Sequence, residues 1–139
     1  MDLSAIHQLE VRGGNEIVAR ARAWASRTAA MLGADRQATA DFALAVSEAC
    51  TNVVRYAYAG RPESRLILTA RRIGKRIVFR MRDFGDKFDP AGVPPPKIDG
   101  EPTVGGYGIY LMRQVMDKVC YMTNHPVGTE LILVRRRSR

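Results

Sequence analysis

The sequence contains few of the residues that define metal-binding or disulfide-rich small proteins. It has two cysteines in 139 residues, Cys50 and Cys120, and neither has a second cysteine or a histidine at metal-ligand spacing. This excludes a zinc site and a disulfide scaffold, and we expect two reduced, buried thiols. The sequence also lacks an apolar run near the roughly 20 residues that a membrane helix needs, so no membrane span is expected.

An apolar signal segment is missing as well. The first twenty residues carry Asp2, Glu10 and Glu16 and have no apolar stretch of the kind that signal peptides contain. We therefore expect a cytoplasmic protein. Its 139 residues, of which 46% are hydrophobic and 26% charged, are typical of one soluble globular domain covering residues 1–139.

Negative charge is scarce relative to positive charge. The formal net charge is +8, and part of it lies in the C-terminal residues Arg135, Arg136, Arg137 and Arg139. A charge of this sign attracts polyanions. A nucleic-acid groove would interleave aromatic and basic side chains, and this tail has no aromatics. We expect a solvated basic end and no direct binding of nucleic acid.

Hydrophobic periodicity and turn residues divide the chain into eight elements. Asn15 and Asp35 are expected to cap the first and second helices, Gly33 to end the first, and Gly60 and Pro62 to end the second. The predicted elements are an edge strand at 6–12, helices at 15–32, 35–59 and 107–118, and strands at 65–73, 77–82, 119–123 and 129–135.

A proline-rich stretch separates two predicted hairpins. Residues 88–104 contain five prolines, a density that excludes a helix or a central strand. A loop of this length inside a compact domain is usually functional or disordered. The order β-α-α-β-β-loop-α-β-β predicts an α/β two-layer sandwich, with a mixed, mostly antiparallel sheet and the helices on one face.

Two polar residues lie at the edge of the apolar stripe of the second predicted helix. Glu48 and Asn52 are four residues apart, so they lie one above the other, about 6 Å along the helix axis. Carboxylate and amide oxygens are hard ligands that suit Mg²⁺ or its water shell. Taken alone, the pair is more typical of a surface helix with two ordinary polar side chains.

The segment Arg82-Asp83-Phe84-Gly85-Asp86 follows a predicted strand. Asp83 stands at the strand's end, a common position for ligand-binding residues, and Gly85 permits the close approach of a ligand. A capped turn is the structural alternative. The letters DFG also mark the magnesium loop of eukaryotic-type protein kinases. That interpretation fails, because the chain is too short and has neither an H-R-D loop nor a V-A-I-K lysine.

Glycines lead directly into the third predicted helix, at Gly105, Gly106 and Gly108. Free backbone N–H groups and the positive end of a helix favour an anion there. The segment is neither a P-loop nor a dinucleotide fingerprint, because no lysine–serine/threonine pair follows it and no strand precedes it. Alone it also fits a flexible loop end. Thr129, after Gly128, begins the last strand, where its hydroxyl can hydrogen-bond a ligand or a neighbouring strand.

Taken in order, these segments resemble the GHKL ATPase superfamily, with its Bergerat fold. The shared pattern is E-x-x-x-N on a helix, D-x-G after a strand, a long loop, G-G-x-G opening a helix, and G-T on a strand. Within the superfamily, the chain is similar to the anti-sigma factor serine/threonine kinases of the RsbW and SpoIIAB type. The stretch 46–58, VSEACTNVVRYAY, resembles that family's N-box, and NEIVAR at 15–20 resembles the start of its first helix.

The resemblance implies a site that binds Mg²⁺ and ATP. Asp83 would hydrogen-bond the adenine amino group, Thr129 would support that contact, and Gly85 would admit the adenine ring. Asn52 would ligate Mg²⁺ at the phosphates. Glu48 would act as general base on the serine hydroxyl of a partner.

The remaining implied roles concern the phosphate end and the partners. Gly105, Gly106 and Gly108 would shape the phosphate end, residues 86–104 would form the ATP lid, and Arg20 would face a protein partner. The resemblance implies a serine/threonine kinase that acts as an anti-sigma factor in partner switching. Its substrate would be an STAS-domain anti-anti-sigma protein, its output partner a sigma factor or another protein, and its state a homodimer.

Two alternatives keep the same fold. A sensor histidine kinase needs a phosphoacceptor histidine on a dimerisation helix, but His7 lies in a predicted strand and His125 beside a proline. A catalytically weak binder that sequesters a regulatory partner would not need Glu48 and Asn52, both of which are present.

Overall fold

Five antiparallel strands form one sheet whose buried face packs against the helices. The computed structural model describes residues 5–59, 61, 63–87 and 106–139. The order of elements and the α/β sandwich agree with the sequence-based prediction. The elements are β1 (His7–Gly13), α1 (Glu16–Met31), α2 (Arg36–Asn52), a π-helix (Val53–Ala57), β2 (Ser64–Ile73), β3 (Arg76–Asp83), α3 (Gly106–Val115), β4 (Lys118–Met122) and β5 (Glu130–Arg136).

The strand order across the sheet is β1-β2-β3-β5-β4. Each neighbouring pair is antiparallel, so the described sheet has no parallel pair. β1 lies at an edge, as its weak alternation predicted. The register places Leu68 opposite Met81 and Phe79 opposite Leu133. These side chains therefore share the buried face, because alternate residues of a strand point to the same side of a sheet.

The core lies between this face and the helices. Phe42 of α2 stacks on Phe79 of β3 with ring centroids 4.8 Å apart, and Trp24 of α1 meets the same ring edge-on at 5.7 Å. In the predicted apolar stripe, Phe42, Ala45, Val46 and Ala49 are buried, whereas Val53 and Tyr56 are partly exposed. This packing fixes α2 over the centre of the sheet.

The helix ends agree only in part with the predictions. The Asp35 carboxylate accepts a hydrogen bond from Ala38 N at 2.8 Å, which confirms this cap. Gly33, with φ of +95°, ends α1 as expected. Asn15 occupies the N-cap position of α1 as predicted, but it adopts helical angles and its side chain makes no cap hydrogen bond. The Glu16 carboxylate instead accepts from Gly14 N at 2.9 Å.

The second helix differs from the single α-helix predicted for 35–59. The α-helical part ends at Asn52, and Val53–Ala57 forms a π-helix in which Tyr58 N donates to Val53 O at 3.0 Å. Apolar periodicity in the sequence does not reveal a widened turn of one helix. Gly60 and Pro62, the predicted stop residues, lie outside the described residues. α3 ends at Val115, and Lys118, predicted to be helical, begins β4.

Two predictions, one about the basic C-terminal residues and one about the cysteines, also need correction. Arg135 is not solvated but 3% exposed, and its guanidinium contacts the Asp41 carboxylate at 2.9 Å. β5 places it on the helix-facing side of the sheet, opposite Ile77. Cys50 is buried as expected, whereas Cys120 is partly exposed on the other face. Among the described helices, none is long and apolar enough to cross a membrane.

Candidate functional site

The end of β3 holds a buried carboxylate. Asp83 is 4% exposed, and its backbone N–H donates to Thr129 O at 3.0 Å. Its carboxylate accepts a hydrogen bond from Gly85 N at 3.1 Å. Burial raises the pKa of the Asp83 carboxyl, while hydrogen bonds from the Gly85 and Thr129 backbones and the charge of Arg82 oppose this rise. A buried carboxylate with spare acceptor capacity is suited to bind a donor from a ligand.

The turn after Asp83 is packed between two other backbones. A Cβ atom on Gly85 would overlap the carbonyl of Ala57, at the end of the π-helix. A Cβ atom on Gly128 would overlap the carbonyl of Asp83, and Gly128 has a φ of +73°. Both positions therefore require glycine, because only a residue without Cβ permits this approach. Gly85 is therefore required by its contact with the Ala57 backbone, whether or not it also contacts a ligand.

Asn52, Asp83 and Thr129 line one small cavity of about 20 Å³. They come from α2, β3 and the residue before β5, and all three are nearly fully buried. Within the part of the chain that the structure describes, Asn52 Nδ2 and Thr129 Oγ1 have no hydrogen-bond partner. Buried polar atoms are normally paired, so unpaired ones at a shared cavity, large enough for about one water, mark a polar point beside which a ligand can bind.

Tyr121 of β4 also lines this cavity and was not predicted. Burial raises the pKa of the Tyr121 hydroxyl to about 12; the charge of Arg113 opposes this rise, and the Asp83 carboxylate adds to it. In the sequence, an aromatic residue within a strand is indistinguishable from ordinary core. No local signal could have assigned Tyr121 to the site.

Glu48 and Asn52 lie beside the start of α3. A Cβ atom on Gly108 would be 2.8 Å from Glu48 Oε2 and 3.7 Å from Asn52 Nδ2. The absence of a side chain at Gly108 thus lets the first turn of α3 approach both polar groups. Gly106 begins α3, while Gly105 and residues 88–104 of the predicted lid lie outside the described residues. Asn52 is buried, and Glu48 is half-buried.

The donor set fits a magnesium ion held mainly by its phosphate ligands. Among the residues described, no group of three or more histidine, cysteine, aspartate or glutamate side chains is placed to hold a metal ion. Mg²⁺ commonly binds one or two protein oxygens together with phosphates and waters. The side-chain amide of Asn52 offers a single oxygen ligand, which suits that arrangement. Arg20 is exposed on α1 and does not line the cavity.

The fold and the site together define an open α/β sandwich with a polar cavity between the end of its central helix and the ends of two strands. The sequence model of the histidine kinase-like ATPase domain matches residues 14–135. The chain belongs to this family.

Two curated relatives are close enough to compare in detail. The chain is 31% identical over 133 residues to the serine-protein kinase RsbW of Bacillus licheniformis, covering 89% of this chain and 82% of the relative. It is 30% identical over 120 residues to the serine-protein kinase RsbW of Bacillus subtilis, covering 81% and 74%. The predicted similarity to RsbW-type kinases is confirmed.

A solved structure supports the fold. It contains the RsbU and RsbW domains of Rv1364c from Mycobacterium tuberculosis, with a TM-score of 0.65 and 19% identity. The match covers 94% of this chain and 32% of the solved chain, so this chain spans about a third of that protein. At this identity the similarity bears on the fold alone, and it agrees with the α/β sandwich described above.

Proposed function

We propose that the chain is a Mg·ATP-dependent serine/threonine protein kinase that acts as an anti-sigma factor in a partner-switching system. The observation that carries this proposal is the convergence of Asn52, Asp83 and Thr129 on one cavity, with unpaired polar atoms on two of them. The names of the similar proteins, serine-protein kinases, support the same reaction.

The residues on the Asp83 side of the cavity would bind the edge of the adenine, whose ring the cavity itself is too small to hold. The carboxylate of Asp83 would accept a hydrogen bond from the amino group of the base, and the unpaired hydroxyl of Thr129 would add a second contact. Gly85 and Gly128 keep the turn close enough to neighbouring backbones to fix the carboxylate in place. A fixed acceptor binds a matching donor with a smaller loss of entropy than a mobile one.

The Asn52 side would bind the phosphates. Asn52 would hold Mg²⁺, which when bound neutralises phosphate charge during transfer. The first turn of α3, with Gly106 and Gly108, would present backbone N–H groups and a positive helix end to the same phosphates. Gly105 would extend this surface. Phosphoryl transfer depends mainly on such alignment and charge stabilisation.

Glu48 would accept the proton of the attacking hydroxyl. Its carboxylate lies against Gly108 and one helical turn from Asn52, so it is beside the proposed phosphate position. The hydroxyl would belong to a serine or threonine of an STAS-domain anti-anti-sigma protein. The exposed surface around Arg20 would bind the sigma factor or another output protein. A cytoplasmic homodimer is the state we propose for the kinase.

The test measures phosphate transfer from γ-labelled ATP to candidate STAS-domain proteins. Glu48→Gln keeps the shape of the side chain but loses the proton acceptor, so transfer should fall by about 10²–10⁴. Binding of ATP and of the output partner should persist. Glu63→Gln, at an exposed position before β2, is the matched control and should transfer at the wild-type rate.

Two results would contradict the proposal. Wild-type transfer by Glu48→Gln would remove Glu48 as the base. Tight binding of an output partner by a wild-type protein that phosphorylates no candidate would instead support the catalytically weak binder.

A further inference from the structure

Tyr58 is buried at the end of the π-helix, and its hydroxyl joins two other parts of the chain. The residue is 7% exposed. Its hydroxyl donates a hydrogen bond to the carbonyl of Arg65 at 2.7 Å and accepts one from the backbone N–H of Phe84 at 3.0 Å. A phenol has one proton to donate, so the bond to Arg65 leaves the oxygen free to accept from Phe84. One hydroxyl thus connects the π-helix, β2 and the turn after Asp83.

The bond from Phe84 replaces a missing strand partner. β3 ends at Asp83, which is paired with Leu66, and Phe84 lies beyond that last pair. Its N–H belongs to the peptide that directly follows the Cα of Asp83. The orientation of this peptide is set by ψ of Asp83, the angle that relates the turn to the Asp83 side chain. The Tyr58 hydroxyl therefore restrains ψ of Asp83.

Other contacts hold the same turn from different sides. Asp83 N donates to Thr129 O, and Asp86 N donates to Ala57 O at 2.6 Å. These bonds join backbone to backbone, whereas the Phe84 bond depends on a side chain and can be removed by one substitution. The π-helix contributes to this geometry. Its turn is wider than an α-helical turn, so the residues after it do not lie on the path that a continuing α-helix would take.

We propose that Tyr58 is a positioning residue for base recognition, holding the Asp83 turn so that the carboxylate faces the amino group of the adenine. This inference rests on the proposed function, since it requires the adenine of ATP to bind beside the Asp83 turn. The energetic argument is preorganisation. Without the hydroxyl, the turn samples other orientations before binding, and ordering it then reduces the affinity for a base that needs the aligned acceptor.

The test compares two nucleotides in one protein. ATP carries the 6-amino group, whereas ITP carries a carbonyl oxygen that faces a carboxylate unfavourably. Calorimetric titration of Tyr58→Phe, which removes one oxygen and keeps the ring, should show ATP affinity lowered by about fivefold to tenfold, the scale of one hydrogen bond. ITP affinity should change little. The ratio of ATP to ITP affinity should therefore fall by the same factor.

A control separates positioning from a general loss of stability. Thr39→Val removes a hydroxyl that donates to Ala34 O at 3.4 Å near the start of α2, away from the turn. Lower stability reduces the fraction of folded protein, which weakens the apparent binding of ATP and of ITP by the same factor. The ratio of the two affinities therefore stays unchanged. Thr39→Val should keep the wild-type ratio even where its melting temperature falls.

Each outcome bears on a different claim. A wild-type ratio in Tyr58→Phe overturns the positioning role while ATP binding by the wild type upholds the proposed function. A wild type that binds no ATP overturns the proposed function, and this inference with it. If Tyr58→Phe does not fold, hydrogen exchange in the wild type decides, because the Phe84 amide must be protected. Exchange of that amide at the rate of an exposed one overturns the proposal.

Discussion

Replacing Asp83 by asparagine should change ligand affinity and stability in opposite directions. Asp83→Asn removes the charge but keeps the size of the side chain. A hydrogen bond to a charged acceptor contributes about 1.5–3 kcal/mol. Its loss corresponds to about a 10- to 150-fold weaker binding of ATP. Isothermal titration calorimetry at neutral pH measures this change directly.

The stability of the ligand-free protein should respond differently. Burial raises the pKa of Asp83 in the folded state above its ordinary value of 3.8. The folded state therefore holds this proton more tightly than the unfolded state, so ionisation of Asp83 costs stability. That cost is absent below the ordinary pKa, grows as the pH rises through the folded pKa, and is constant above it. At pH 7, Asp83→Asn should be more stable than the wild type, and the difference should vanish near pH 3.

Asp86→Asn is the matched control. The Asp86 side chain is 75% exposed and lies 3.6 Å from the Arg61 guanidinium. Exposed ion pairs of this kind contribute at most about 1 kcal/mol, so neither ATP affinity nor stability should change appreciably. Chemical denaturation of both variants at pH 7 and pH 3 tests the reasoning. A large loss of stability in ligand-free Asp83→Asn at pH 7 would show that the carboxylate serves the fold, not a ligand.

Three further substitutions probe other parts of the molecule. Asn52→Ala should abolish Mg²⁺-dependent turnover, measured by phosphate release, while circular dichroism shows a folded protein; full activity would contradict the metal assignment. Gly108→Ala should keep the fold and lower phosphate transfer by about tenfold or more, because its Cβ would displace the Glu48 carboxylate. Unchanged transfer would place Glu48 away from the reaction. Asp41→Ala leaves Arg135 buried without its partner and should cost about 3–5 kcal/mol in urea denaturation, and a loss below 1 kcal/mol would contradict the buried ion pair.

Most of the fold could be predicted from the sequence, because local signals and tertiary packing favour the same helices and strands over most of the described chain. Each predicted strand is present, with ends shifted by about one residue. Asp35 as a cap and Gly33 as a helix end follow from backbone hydrogen-bonding rules that need no tertiary information. The errors occur where tertiary contacts decide. Arg135 looks like part of a basic tail, and only its pairing with Asp41, far away in sequence, makes it a buried residue.

The site was predictable to the extent that its residues carry chemistry visible in the sequence. Asn52, Asp83 and Thr129 were identified by type and order, and the structure brings them to one cavity. Tyr121 and Tyr58 were not identified. Each is an aromatic residue in an apolar segment, and its place at the site depends on the tertiary structure. The hydrogen bonds of the Tyr58 hydroxyl follow from the π-helix, and the place of Tyr121 at the cavity follows from the register of β4; periodicity reveals neither.

The contacts that pack the Asp83 turn serve the fold and also hold the carboxylate of the candidate site. The turn contacts the π-helix through Gly85 and the approach to β5 through Gly128, and neither contact tolerates a Cβ atom. The carboxylate is thereby held in a buried place where ionisation is unfavourable, as the raised pKa shows. A protein selected for stability alone would favour a neutral residue here. In the proposed function, the carboxylate that this turn of glycines holds would be the acceptor for a ligand that offsets its cost on binding.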